Sequence, residues 1–451
     1  MKAILLQHFN FSKCHHRPTS TNLYNNKEIV QYLLDNVIDT DRYGLSYTSF
    51  RTKILKDLGL ETTRGQGHTV ETIDTAMQAT RQRFPKAGTR DVIGILFAEH
   101  GISVVVEWCC IHEPSLVCER KARNLKRRCF WAAGVNDMLA VDQHDNWKRF
   151  GLALHTGIDP FSGRVHWIKI YWTNNNPKIV LSYYLEWVRI PLVTQSNLGS
   201  ENYGIANGHT TLRHLHDPSL VGTIQHRWMK HKKNVKPEVT WSQLRRRFSP
   251  GFKNILEEGV TKGWYDINRP IDKLVFRWIF IPWLQAELNA YVARVNTSRK
   301  RADRNKVLPH GRPNDIHFNP GRFGCLDFKI TVDPALVNQV EQLYAPPDDP
   351  VFTLVPADFE QLASKFYTQM GRPPVTSKNV WDVYIKLMRQ FEQMDGADGL
   401  LEHCVATLAK EFDNDASLEK PVGTDLFGGI DELDDDGNYY LGGVNNIRKK
   451  P

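Results

Sequence analysis

Between Gly134 and Trp264, short apolar runs alternate with stretches of helical periodicity, and their order leaves few ways to build a core. Met138-Leu139-Ala140-Val141-Asp142 is too short for a helix and predicts a first strand that ends on an acid. Gly151 to Ile158 predicts a second, with Leu152, Leu154 and Ile158 alternating against Ala153, His155 and Gly157. Asp159-Pro160-Phe161-Ser162-Gly163 has the composition of a turn, and Arg164 to Trp172, rich in β-branched and aromatic residues, predicts a third strand. Tight connections make these three an antiparallel meander. Asn176-Pro177 then opens a helix running to Arg189, Leu192-Val193-Thr194-Gln195 is a fourth strand, and Thr223 to Trp228 a fifth that leads into a last helix. The β-β-β-α-β-α-β-α order predicts an α/β core with a mixed five-stranded sheet between helices.

Polar residues stand at telling places in that order. Asp142 closes the first strand. Asn197 follows the fourth, in Gln195-Ser196-Asn197-Leu198-Gly199-Ser200-Glu201-Asn202. Glu238 lies in Asn234-Val235-Lys236-Pro237-Glu238-Val239-Thr240-Trp241, where Pro237 suits the first turn of a helix. An acid on a first strand, a polar residue at a later strand end and an acid on a following helix describe a metal-dependent phosphoryl-transfer site. Cutting and joining phosphodiesters uses two divalent cations about 4 Å apart, and hard Mg²⁺ prefers carboxylate oxygens. Asp142 fits the bridging role, Glu238 the helix role and position 197 the remaining one. A lone acid is usually a cap or a solvated loop residue; the ordered set carries the reading.

Cations crowd the same segment. Asn234, Glu238, Trp241 and Arg245 share one helix face by spacing. Trp241 and Arg245 there would stack on an unpaired base and hold a phosphate; the alternative puts Trp241 in the core. Lys230, Lys232, Lys233, Lys236, Arg245, Arg246 and Arg247 flank that helix, either as a solvated surface or as a groove that follows phosphates. Upstream, the run from Arg120 through Arg127 and Arg128 reads as a solvated helix face with a nuclear-import role and as a linker tracking phosphates, two readings that are compatible.

Asp142-Gln143-His144-Asp145-Asn146-Trp147-Lys148-Arg149-Phe150-Gly151, Gly157-Ile158-Asp159-Pro160-Phe161-Ser162, the Gln195–Asn202 stretch and Asn234-x-x-x-Glu238-x-x-Trp241 together resemble the integrase-core-domain proteins of eukaryotic genomes. These are transposon-derived relatives of retroviral integrases and DDE transposases, and the chain is most similar to those of fungi. The resemblance runs from about Ser49 to about Pro320. It implies a ribonuclease-H-like core, DNA strand transfer with Mg²⁺ or Mn²⁺, DNA as partner, a homo-oligomer and action in the nucleus. It also implies Asp142, Asn197 and Glu238 as the catalytic positions, with Asp142 and Glu238 as metal ligands.

The chain departs from the family where Ser-Asp-x-Gly-x-Glu-Asn is usual, because Asn197 replaces the Asp. An amide oxygen ligates a metal without charge, and Coulomb attraction at contact is several kcal/mol even at an effective dielectric near ~20. Metal occupancy and catalysis are therefore expected to fall by orders of magnitude, with Glu201 as a conceivable substitute ligand. His144 and Asp145 stand where the family has Asn and His; Asp145 is a spare ligand or a loop residue.

The rest of the chain divides as follows. Residues 1–65 are expected to be a helical region. Residues 66–118 form a helix-turn-helix-like unit, with helices over Val70–Phe84 and Thr89–His100 and a turn at Gly101 that also suits an ordinary hairpin. The basic linker (119–133) leads into the integrase catalytic core (134–264). A helical extension and basic loop follow (265–325), in which Pro282 is expected to kink or split the Arg269–Asn296 helix. A C-terminal helical region (326–411) includes Val380–Met394, and the acidic stretch 412–451 is expected to be disordered. The net charge of +8 favours a polyanionic partner. The longest apolar run, Ile279 to Leu284, is too short to cross a bilayer, so no membrane role is expected. Seven irregularly spaced cysteines predict reduced thiols rather than disulfides or a zinc module. No small organic cofactor is expected. Two other classes remain: a non-catalytic DNA-binding protein that keeps the integrase fold, and, from the acidic tail, a protein-interaction module.

Overall fold

The structure is a computed structural model that describes residues 67–102, 106–115, 129–130, 132–186, 189–229, 234–300, 307–394, 418–425 and 444–445. The expectations for residues 1–65 and for Arg127, Arg128, Lys230, Lys232 and Lys233 lie outside the described residues. The chain divides into two compact units, residues 1–125 and 126–451.

In the first unit, Thr69 caps α1 (Val70–Arg83): its hydroxyl accepts from the Thr72 amide, and the Thr72 hydroxyl accepts from the Thr69 amide. Helix α2 (Thr89–His100) ends at Gly101, whose φ of 72° is the left-handed conformation that closes a helix. Helix α3 (Val106–His112) follows. Ile73, Met77, Phe84, Val92, Ile95, Leu96 and Trp108 bury the shared interior, and the Trp108 indole N–H donates to Asp74 at 2.8 Å.

The second unit is built on five strands: β1 (Met138–His144), β2 (Ala153–Asp159), β3 (Arg164–Tyr171), β4 (Val193–Asn197) and β5 (His226–Met229). Their order across the sheet is β3-β2-β1-β4-β5. The meander β1-β2-β3 is antiparallel, and β4 and β5 add in parallel beside β1. This mixed sheet with flanking helices is the ribonuclease-H-like arrangement that the order of elements predicts. On one face, Leu139 and Val141 pack with Val180, Leu181 and Tyr184 of α4 (Pro177–Leu185) and with Ile205 and Leu212 of α5 (Tyr203–His216). Strand alternation then turns Asp142 to the other face, where α6 (Val235–Arg247) lies against β1 and β2.

All seven residues of β2 are buried, because the strand is internal to a sheet covered on both faces. The Trp167 ring lies over Gly157, where a Cβ would come within 2.3 Å of it. Pro282 does not split its helix, since α8 (Pro270–Thr297), which follows α7 (Ser249–Thr261), runs through it as one helix. That helix is tied down on both sides of most of its length. Gln285 bonds the Ile170 amide and the Ile168 carbonyl, and Asn296 bonds both backbone groups of Val165, so its amides satisfy the edge of β3. On the other side of the proline, Phe280 packs on the Trp381 ring with centres 4.6 Å apart. These contacts oppose a proline penalty of about 3 kcal/mol.

The later segments close onto this core. Leu326–Asp327 pair with Gly134–Val135, and Ile330–Thr331 with Arg189–Ile190. Helix α9 (Pro313–Phe318) sets buried His317 on Asp159 at 3.0 Å. Val340 on α10 (Pro334–Tyr344), with Val332 and Ala345, joins the cluster around α4 and α5. Helices α11 (Ala357–Gln369) and α12 (Val380–Glu392) follow, and Trp381 of α12 packs on Phe280 with ring centres 4.6 Å apart. Within the segment expected to be a disordered tail, residues 424–425 pair in parallel with Thr223–Ile224. Cys109, Cys110 and Cys325 are free thiols. No helix among the described residues is long and apolar enough to cross a membrane.

Candidate active site

The carboxylate of Asp142 is the centre of a hydrogen-bonded cluster at the ends of β1 and β4. It is 9% exposed, and a buried carboxylate needs donors on both oxygens. It has them. The Asn197 amide donates to Oδ1 at 3.0 Å, and the Trp241 indole N–H donates to Oδ2 at 3.0 Å. Parallel pairing of β1 with β4 brings the first contact about, since it sets the carboxyl ends of the two strands side by side.

The second contact depends on where α6 starts. Asn234 is fully buried and precedes the helix rather than lying on its exposed face. Its amide nitrogen donates to the Val141 carbonyl at 2.8 Å, and its oxygen accepts from Gln195 at 3.1 Å. One side chain thereby ties the start of α6 to the residue before Asp142 and to β4. Two turns on, Trp241 is 4% exposed, and the His144 ring stacks on it at 4.8 Å with planes 13° apart. Of its two readings, base platform or core residue, the burial matches the core. Glu238 and Arg245 on the same helix are exposed.

The charges follow from this geometry. Burial pushes the Asp142 carboxyl up to about 7; the Trp241 bond opposes the rise, and the negative charges of Glu238 and Glu201 add to it. Glu238 therefore stands within electrostatic reach of Asp142. Glu201 is also raised, chiefly by burial, with Asp145 adding and Lys148 opposing. Its carboxylate folds over Gly199 and takes a bond from Asn202 at 2.7 Å, while the Asn202 amide also holds the Asn197 carbonyl. Burial and the Arg245 charge lower His144, so its ring stacks on Trp241 as neutral imidazole. Asp145 is exposed, paired with Lys148 at 2.9 Å and bonded by Asn174 at 3.0 Å, which are loop contacts.

This donor set does not fit a pair of divalent cations. Both oxygens of Asp142 already accept N–H bonds, and Asn197 turns a donor, not a lone pair, toward the carboxylate. Among the described residues, no group of three or more His, Cys, Asp or Glu side chains is arranged to hold a metal ion.

The sequence motifs did not reveal the bracing by Asn234, Gln195 and Asn202, nor the aim of the Trp241 indole. Burial would have been the only signal, and it belongs to the folded chain. Comparison with known proteins adds the family. No curated protein matches the chain, whereas residues 129–318 match a family model described as integrase core domain. That span takes in all five strands, Asp142, Asn197 and the helix that carries Glu238. Residues 129–318 carry an integrase core domain.

Proposed function

We propose that this protein binds DNA as an integrase-type protein and that its metal-dependent strand transfer is impaired at Asn197. One observation carries the reading: the amide at position 197 donates to Asp142 instead of sharing a cation with it. Strand transfer would need cations to polarise the phosphodiester and activate the attacking water or 3′-hydroxyl, and the Asp142–Asn197 pair does not offer them a place. The chain's own residues keep the frame for that chemistry, with β1, β4 and α6 braced through Asn234. Support for DNA as partner comes from the integrase core domain, the net charge of +8 and the exposed Arg245 and Arg246 on α6. The nucleus is the place of action on this reading, and a homo-oligomer its working form.

The test compares the native protein with Asn197→Asp in DNA binding and in cleavage and joining assays with Mn²⁺. Salt-sensitive binding by both, with nicking or joining only by the Asp variant, is the expected result. Native activity equal to that of the variant removes the impairment. Binding by both with activity in neither favours the second reading, a non-catalytic DNA-binding protein, which the two donors on Asp142 also suit. Absence of DNA binding at low salt overturns the reading altogether.

A further inference from the structure

The backbone carbonyl of Asn197 is the end of a chain of side-chain hydrogen bonds that passes through a buried histidine on the neighbouring strand. Thr194 Oγ1 lies 2.8 Å from His226 Nδ1, and His226 Nε2 lies 2.9 Å from Ser196 Oγ. The Ser196 hydroxyl in turn donates to the Asn197 carbonyl at 2.9 Å. Strand register explains the arrangement. Thr194 stands opposite His226 in the β4–β5 pairing, and Ser196 is the next residue on the same face of β4. Gln195 and Asn197 point to the other face, where they meet Asn234 and Asp142. His226 therefore reaches the candidate active site from behind the sheet.

Counting donors places the protons. A carbonyl only accepts, so the single Ser196 proton is committed to Asn197. Ser196 Oγ must then accept from His226, which puts a proton on Nε2. The imidazole is neutral, because burial, with His209 adding, lowers it well below its ordinary range. Its Nδ1 is left bare, and Thr194 Oγ1 donates to it. The links all run one way, from Thr194 to Asn197, and hydrogen bonds aligned in that sense strengthen one another. Thr194, Ser196 and His226 are each 0% exposed, so water does not replace a link that is lost. Asn202 supplies the second donor to the same carbonyl, at 3.1 Å.

We propose that His226 is a positioning residue of the site: its Nε2–H, acting through Ser196, fixes the Asn197 backbone so that the Asn197 amide meets Asp142 Oδ1. This rests on the reading above in which Asn197 occupies Asp142, and it does not depend on DNA binding. The imidazole touches neither Asp142 nor the Asn197 side chain; it sets the peptide from which that side chain projects.

NMR on the full chain, without DNA, tests it. A long-range proton–nitrogen spectrum of the histidine rings, with His226 identified by the signal lost in His226→Gln, is expected to show a proton on Nε2 and none on Nδ1. The side-chain amide protons of Asn197, identified by their loss in Asn197→Asp, are expected to be widely split, since one of them faces a carboxylate. Glutamine at position 226 can present an N–H where Nε2 stands, so His226→Gln should keep the splitting. His226→Phe fills the space without a donor and should collapse it toward that of an exposed asparagine. Ser196→Ala breaks the last link with the ring in place, should collapse it too, and decides the question if His226→Phe does not fold. A proton on Nδ1 overturns the proposal, as does a splitting that survives in Ser196→Ala or in a folded His226→Phe. Equal collapse in His226→Gln and His226→Phe also overturns it and leaves His226 a packing role. A native splitting no wider than that of an exposed asparagine removes the Asn197–Asp142 bond itself, and the reading of the site fails with it.

Discussion

Asn197 Nδ2 lies 3.0 Å from Asp142 Oδ1, so the Asn197 amide donates a hydrogen bond to the carboxylate. An Asp at position 197 would make a repulsive pair that needs a bridging cation, whereas Asn makes an attractive pair that needs none. Trp241 completes the arrangement by bonding the other oxygen, and the carboxylate can then remain 9% exposed without a counter-ion in contact. Four predictions follow from the geometry around this pair and the core beneath it.

The first concerns Asn197→Asp. It sets two carboxylates face to face at the position of the present 3.0 Å contact. In EDTA the variant is expected to lose about 1–3 kcal/mol, the cost of a buried acceptor without its donor. Mn²⁺ should restore its thermal midpoint and leave the native protein nearly unchanged. A variant as stable as the native chain in EDTA would show that the amide is not holding the carboxylate.

Trp241→Phe separates the indole bond from the ring stack. Phenylalanine keeps an aromatic face for His144, which now stacks at 4.8 Å, but removes the N–H on Asp142 Oδ2. The expected loss is about 1–3 kcal/mol in urea unfolding, and Trp241→Leu should lose more because the stack goes as well. Equal stability of the Phe variant and the native chain contradicts the assigned bond.

Glycines on α5 give a third test. A Cβ on Gly204 would come within 2.0 Å of the Pro177 carbonyl oxygen, which is backbone and cannot turn aside. On Gly208 it would meet Leu181 Cδ1 at 2.5 Å, the end of a flexible side chain. Gly204→Ala is therefore expected to cost about 1–3 kcal/mol as overpacking, and Gly208→Ala clearly less. The reverse order, read by thermal melting, would refute the packing of α5 on α4.

The last prediction is a pH dependence. Burial lowers His155 to about 3, and the Trp167 indole donates to its Nδ1 at 3.1 Å, which requires an unprotonated nitrogen there. An unfolded chain takes up a proton on this imidazole below its ordinary value of about 6.5, whereas the folded chain does not. The stability that His155 contributes is thus present above that value and is lost as pH falls from about 6.5 toward 3. Measured against His155→Gln, the native advantage in urea midpoint should shrink between pH 7.5 and pH 5, values chosen at roughly one unit or more on either side of that 6.5. A constant or widening gap means that His155 is not held neutral.

Much of the scaffold could be read from local pattern. Asn176 before Pro177 marks a helix start, and the Asn176 side chain does cap α4 by accepting from Lys178. Met138 to Asp142 is a strand, extended in the structure to His144. Local pattern fell short where burial came from elsewhere in the chain. His155 and Gly157 are interior residues because helices cover both faces of the sheet, and Pro282 is accommodated because α8 is anchored on β3. The pairing of residues 424–425 with Thr223–Ile224 had no local sign at all.

The sequence by itself determined the order of strands and helices, and with it that Asp142 lies on a strand in the middle of a mixed sheet. Periodicity and turn composition act over a few residues, so they are written in the chain. Only the tertiary structure decided what Asp142 touches, because its partners lie 55 and 99 positions away. Bringing an amide and an indole to the two oxygens of one carboxylate takes strand pairing, the bracing of α6 by Asn234 and the exclusion of water together.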